Sequence, residues 1–273
     1  MRYSSRTLPA AAFAALAALT AQPAAAQLGS ALARTVPYAV TPVPFGPGEV
    51  MRYDVKWGIF GSVGDGRLEV AGIDSLHGHP TYRLAFAMKG GLPLAKVNDL
   101  NQSWLDVSTL ISRRFDQNTH QVNYKRHRII DFHPDSMVWI RQNSSERGEL
   151  ATAEPLDDVS FLYFVRTLPL EVGASYTFHR YWKGDGNPVV VNVLRRDTVK
   201  IGKDAYPTIV VQPIIRTKGI FSEGGEAEVH FSDDSRRLIV HLRAKMSIGT
   251  LRMFLKSYTP GLQLVSENAV GTR

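Results

Sequence analysis

From residue 49 onward, apolar and polar positions alternate with a period of two. Met51, Tyr53, Val55 and Trp57 share one parity, with Arg52, Asp54 and Lys56 on the other. Tyr82, Leu84, Phe86 and Met88 repeat the pattern, and Val122, Tyr124, Arg126 and Arg128 alternate with Asn123, Lys125 and His127. Successive side chains of a strand point to opposite faces, so this period predicts half-buried β-strands. Further β-branched or aromatic runs bounded by Gly, Pro, Asp or Asn fall at 67–73, 101–106, 137–142, 175–182, 189–199, 208–213, 227–232, 238–246 and 250–258. Their close spacing predicts an antiparallel meander, and the lack of strand–helix alternation argues against a parallel sheet.

One segment departs from this period. Asp157 or Asp158 can cap a helix over Val159–Arg166, because an Asp side chain accepts from the free N–H groups of a first turn. Pro169 would end it, and its apolar composition would pack it on the sheet, with a buried strand as the alternative. A hairpin is expected over 226–246. Asp233-Asp234-Ser235 supplies its turn. Glu228 and His230 face one way, and Ile239, His241, Arg243 and Lys245 form the polar side of the return strand. Cross-strand charge pairs there would each be worth less than about 1 kcal/mol.

Before residue 49 the chain reads differently. Two Arg precede a Leu- and Ala-rich run over 8–19, followed by Ala24-Ala25-Ala26. This is the charged, apolar and small-residue order of an export signal, with the cut placed before Gln27. The apolar run is shorter than the roughly 20 residues that span a bilayer. Pro37, Pro42, Pro44 and Pro47 make 27–47 a Pro-rich linker, extended or disordered. The expected organisation is therefore a signal over 1–26, the linker over 27–47, one β-domain over 48–262 and a tail over 263–273.

Removing the first 26 of 273 residues leaves 247, and losing Arg2 and Arg6 lowers the formal charge from +7 to +5. The remaining cations are spread along the chain, so nucleic acid is not an expected partner, and a modest preference for anionic membrane surfaces or glycans stays open. The mature chain has no expected transmembrane span. With no cysteine, disulfides and thiolate metal sites are excluded, and stability must come from a core, which this length can supply. The expected destination is the periplasm of a Gram-negative-type bacterium, with association with the outer membrane open.

The chemistry-bearing motifs are weak. His77-Gly78-His79 could supply two metal ligands, but no third or fourth stands at a useful spacing, so no metal is expected. There is no Gly-x-Ser-x-Gly elbow, and Gly61–Gly66 lacks the Lys of a phosphate loop. The Asp pairs at 157–158 and 233–234 read as cap and turn residues. No catalytic residue and no cofactor follow. The aromatics give a different lead: Trp57, Phe60, Phe86, Trp104, Tyr163 and Phe164, with Trp139 and Trp182, could line a concavity for a lipid or other apolar ligand. Ordinary core packing is the competing explanation.

The run Gly48–Gly58 followed by Gly61 and Gly64 resembles the opening of an exported bacterial family known as domain of unknown function 3108. Asp158–Arg166 through Gly173, Ala205-Tyr206-Pro207 to Pro213, and Phe231–Lys245 with Ile248-Gly249 are similar to its later motifs. The likeness covers about residues 48–258. Ile239 departs from it, at a position where the family often places Pro.

The resemblance implies an exported antiparallel β-protein, broadly similar to envelope lipoprotein carriers, with no activity or catalytic residues to transfer. The expected fold is mainly β: one antiparallel curved sheet or half-open barrel with a short packed helix. The expected function is non-enzymatic binding of a lipid or apolar ligand in the concave sheet. An assembly accessory acting through contacts with an envelope protein is the first alternative. A hydrolase built from His230 or His241 with Asp233 is the second.

Overall fold

The computed structural model describes residues 33–92, 95–121, 124–216, 227–246 and 249–267. The expected export signal over 1–26 lies outside them. The chain runs through β1 (Ala33–Val36), β2 (Val50–Trp57), β3 (Ser62–Leu76), β4 (His79–Leu92), β5 (Ala95–Asp106), β6 (Ser112–Gln121), β7 (Tyr124–His133), β8 (Val138–Arg141) and β9 (Arg147–Glu149). Helix α1 (Asp158–Val165) follows. The remaining strands are β10 (Ser175–Phe178), β11 (Val189–Ile201), β12 (Asp204–Ile214), β13 (Glu228–Ser232), β14 (Ile239–Met246), β15 (Gly249–Thr259) and β16 (Gln263–Ser266).

Hydrogen bonding orders fourteen of these strands as β10 through β15 and then β2 through β9. The sheet is thus two meanders joined where β15 pairs antiparallel with β2. Its edges, β9 and β10, are neighbours in sequence on either side of α1, and they do not pair with each other. The segments beside them meet instead. Ala151 N–H donates to Trp182 O at 3.2 Å, Leu156 N–H to Arg180 O at 2.6 Å, and Trp182 N–H back to Leu156 O at 3.2 Å. This is the open antiparallel sheet with one packed helix that the periodicity predicts. The expected strand over 175–182 stops at Phe178, because residues 180–182 leave the sheet to make these bonds.

The alternation sets the inner face. Met51, Tyr53 and Val55 are buried, as are Leu68 and Val70 of β3 and Tyr82 and Leu84 of β4. Helix α1 lies against this face, and every residue from Val159 to Val165 is buried. A helix apolar on all sides belongs in a core. Asp157 is its N-cap: one carboxylate oxygen accepts from the N–H groups of Val159 and Ser160 at 2.9 and 3.0 Å, and Ser160 Oγ accepts from Asp157 N–H at 2.9 Å. The other carboxylate oxygen accepts from the hydroxyls of Ser103 (2.6 Å) and Ser112, which project inward from β5 and β6. The helix start is thereby pinned to β5 and β6.

Two differences from expectation have a physical cause. Ile239 is buried rather than on the polar side of its hairpin, because a bulge at Val240, opposite His230 and Phe231, shifts the register by one. The segments expected as linker and tail also contact the domain. Phe45 is buried edge-on against Tyr82 and Tyr163, at centroid distances of 5.4 and 5.0 Å, and β1 pairs in parallel with β16. Residues 33–47 contribute Val36 and Phe45 to the core, since burying such side chains outweighs the cost of ordering a Pro-restricted backbone.

Candidate functional site

The six aromatic residues singled out from the sequence do not converge. Tyr163 and Phe164 belong to the buried helix. Phe164 packs edge-on against Phe178 at 5.2 Å and lies under the Arg180 guanidinium at 4.6 Å. Trp104 lies on the opposite face, since Ser103 and Leu105 take the inward positions beside it. Its indole N–H donates to Asp74 Oδ2 at 2.9 Å, and Arg114 covers its ring at 5.7 Å. Phe60 stands at the tip of the β2–β3 turn, 61% exposed. Trp57 and Phe86 do share the inner wall, each partly buried against the core.

Beyond the reach of α1 this inner wall is partly uncovered, and its composition is graded. Register places Phe86 opposite Asn101, Asn101 opposite Gln117, and Gln117 opposite Arg128. The same row begins with the buried Met51 and Leu68. One row further from the helix, Met88 pairs with Asp99, and Thr119 with Arg126. A single cross-strand row therefore passes from aliphatic and aromatic through amide to guanidinium. Phe86, Asn101, Gln117 and Arg128 are all of intermediate exposure, in contrast to the buried Leu84, Ser103, Phe115 and Ile130 beside them.

The basic end of the row is short of anionic partners. Arg128 donates through Nε to Gln117 Oε1 at 3.2 Å and through Nη2 to the same oxygen. Burial, followed by the Arg126 charge, holds the Arg128 guanidinium below its usual range; Asp158 and the phenols of Tyr124 and Tyr181 act the other way. Lys183, with Nζ 4.6 Å from the Trp182 ring, is lowered by burial and then by Arg128 and Arg126, with Asp185 and Asp158 opposing. Burial pushes the Asp158 carboxyl up, against the Tyr181 hydroxyl that donates to it at 3.0 Å. Glu146 also feels Arg126 and Arg128, but it is bound by Arg141 at 3.0 Å. Among the described residues, Asn101 Oδ1 is a buried acceptor with no hydrogen-bond donor. Such a wall can hold an apolar chain at one end and an anionic group at the other.

The sequence reading placed Arg126 and Arg128 on one strand face without assigning them a role. The signal available was their parity with Ile130 and Phe132, which are core residues. An Arg in phase with a buried run faces inward. Gln117, Asn101 and Lys183 carried no such signal, because their position depends on strand pairing.

The other candidate clusters resolve into local structure. His77 Nε2 lies 3.0 Å from Asp131 and His79 Nδ1 3.2 Å from Asp106, two separate carboxylates that also hold Arg114 and Arg113. Among the described residues no group of three or more potential ligands gathers for a metal ion. His230 and His241 are cross-strand neighbours with ring centroids 4.8 Å apart, and His241 stacks on Phe254 at 4.4 Å. Asp233 is held by Arg196 at 2.9 Å and Arg237 at 3.5 Å rather than by His230 or His241, the pairing that the hydrolase reading requires. Among the described residues no helix is long and apolar enough to cross a membrane.

Comparison with known proteins places the chain in a family and supports the fold. The family model for proteins of unknown function termed DUF3108 matches residues 52–256. No functionally curated protein matches the chain. A solved β-barrel-like protein of the DUF1849 family from Brucella abortus is similar in fold, with a TM-score of 0.50 and 10% identity over 80% of this chain and 99% of that one. A candidate lipoprotein from Parabacteroides distasonis aligns over the same shares, with 8% identity and a TM-score of 0.36.

Proposed function

From the premise that this chain belongs to the DUF3108 family of proteins of unknown function, we propose that it is a non-enzymatic binding protein of the bacterial envelope whose ligand is a lipid-like amphiphile with an anionic head. The observation that carries the reading is the inner-face row Phe86–Asn101–Gln117–Arg128, apolar at one end and cationic at the other. The acyl portion lies against Phe86, Met88 and Trp57, and the head faces Arg128 and Lys183. An anion there would relieve the mutual repulsion of those cations and gain charge-assisted hydrogen bonds. The reading narrows the aromatic lining expected from the sequence to Trp57 and Phe86.

The charged, apolar and small-residue order of the first 26 residues supports export to the periplasm. Attachment of a partner by strand addition has less support. The sheet edges β9 and β10 are three and four residues long, and short edges are poor templates. Titration calorimetry with lysophosphatidylglycerol below its micellar concentration tests the proposal. We expect saturable binding, weakened at least tenfold in Arg128→Gln and in Phe86→Ser. No binding by the wild-type protein, or equal binding by both variants, would overturn it.

A further inference from the structure

The two most exposed large apolar residues among those described are consecutive: Ile59 is 95% and Phe60 61% exposed. They sit at the tip of the β2–β3 turn between Gly58 and Gly61, whose φ values of +51° and +71° favour glycine. The tip is held in place. Gly58 N–H donates to Thr250 O at 2.9 Å, Phe60 N–H to Trp57 O at 3.0 Å, and Arg252 Nη1 to Gly58 O at 3.2 Å. Two large apolar side chains are therefore projected into water from a braced backbone, an arrangement that costs solvation and gains nothing within the chain.

The surroundings are basic. Lys89, Lys96 and Lys125 are exposed at the same end of the sheet, where β4 leads to β5 and β6 to β7. Lys56, beside the tip, is shared between Asp54 at 3.7 Å and the Phe254 ring at 5.1 Å. Asp65 lies in register between Asp54 and Lys89, and Lys256 reaches it at 3.7 Å. Cations outnumber acids around the tip, and the uncovered part of the inner wall opens towards the same end.

We propose that this tip docks the protein on a bilayer of anionic lipid. Ile59 and Phe60 enter the boundary between headgroups and acyl chains, and the lysines around them meet the lipid phosphates. Apolar insertion combined with a basic rim is the combination that holds peripheral proteins to membranes, each Lys near such a surface contributing about 1 kcal/mol. The inference does not depend on the amphiphile reading, because it uses a different face and different residues.

Flotation with vesicles of phosphatidylcholine and phosphatidylglycerol at 3:1 tests it. We expect the purified protein to float at low salt, to be released by 0.5 M salt, and to ignore pure phosphatidylcholine. Ile59→Ser with Phe60→Ser should lower partitioning at least tenfold with unchanged thermal melting, since both side chains are exposed. Arg128→Gln should float like wild type even if it binds no lysolipid, so the two proposals can fail separately. An Ile59→Trp variant should show a blue-shifted emission quenched by brominated acyl chains. Flotation unaffected by the double substitution, or an Ile59→Trp indole that stays in water, would overturn docking through this tip.

Discussion

Arg166 and Glu49, 117 residues apart in sequence, meet in a two-point ion pair that is almost wholly removed from solvent. Arg166 Nη1 lies 2.6 Å from Oε1 of Glu49 and Nη2 2.9 Å from Oε2. Nη2 also donates to Arg236 O at 3.0 Å and Pro44 O at 3.3 Å, and the guanidinium lies 5.3 Å from the rings of both Phe45 and Tyr163. One side chain at the helix end thus ties together α1, the segment before β2 and the β13–β14 turn.

Two buried charges repay their desolvation only while paired, so removing one partner is costlier than removing both. Arg166→Met should destabilise the protein by about 3–5 kcal/mol, as should Glu49→Leu. The double variant should lose less than either single one. Urea denaturation of the four proteins measures this. If the two single losses simply add in the double variant, the pair is not the coupled unit described.

The buried Asp157 and the half-buried His241 give opposite pH dependences in one window. Burial raises the Asp157 carboxyl to about 6, against the hydrogen bonds from Ser103, Ser112 and Ser160 and with help from the Asp158 charge. Its contribution is fully present below the ordinary carboxylate range and is lost as pH rises towards 6, about 3 kcal/mol at most. Burial first, then His230 and Arg252, lowers His241 to about 4, with Glu228 opposing and Arg243 assisting. Its contribution is present above the ordinary imidazole range and is lost as pH falls towards 4. Between pH 4 and 6 the two contributions therefore oppose each other. Asp157→Asn should become more stable as pH rises through that window, and His241→Phe less stable. Chemical denaturation at pH 4, 5 and 6 decides it, and parallel profiles for the two variants would contradict both assignments.

What could be read from the chain follows from how locally each feature is determined. The α1 cap was legible because Asp157 acts on residues two and three positions away. Strand parity fixed the faces of β2 and β4 for the same reason. Trp104 was read as a pocket residue because aromatic content was weighed without parity, and Ser103 and Leu105 already held the inward positions. Ile239 was misplaced because a bulge has no sequence mark beyond its partner strand. The row ending in Arg128 joins four strands, so it exists only once β4, β5, β6 and β7 are in register. The burial of Phe45 likewise depends on Tyr82 and Tyr163, distant in sequence.

A backbone contact between β3 and β4 makes a sharper test of that register. Gly64 and Gly90 are cross-strand partners, and a Cβ on Gly90 would come within 2.3 Å of Val63 O and 2.4 Å of the Gly64 Cα. The φ of Gly90 is +148°, which an alanine rarely adopts. Both partners in the collision are backbone, so no side-chain rotation relieves it. Gly90→Ala should cost more than about 2 kcal/mol, whereas Gly72→Ala, with open space around its Cβ, should cost less than about 1 kcal/mol. Equal melting temperatures for the two variants would show that the strands are not this close.

The last prediction separates binding from stability at the cationic end of the inner wall. Arg128 is partly desolvated, has an amide rather than a carboxylate as its acceptor, and is repelled by Arg126. An unpaired cation in such a place opposes folding, and binding sites retain such groups because the ligand supplies the missing charge. Replacing it by leucine removes a partly desolvated charge and the repulsion felt by Lys183. Arg128→Leu should therefore melt above the wild type, by about 2–4 °C for a gain near 1 kcal/mol in a chain of this size. Lysophosphatidylglycerol should raise the wild-type melting temperature and leave that of Arg128→Leu almost unchanged. A variant that melts lower than wild type, yet still gains from the lysolipid, would mean that Arg128 serves the fold and the anion is bound elsewhere.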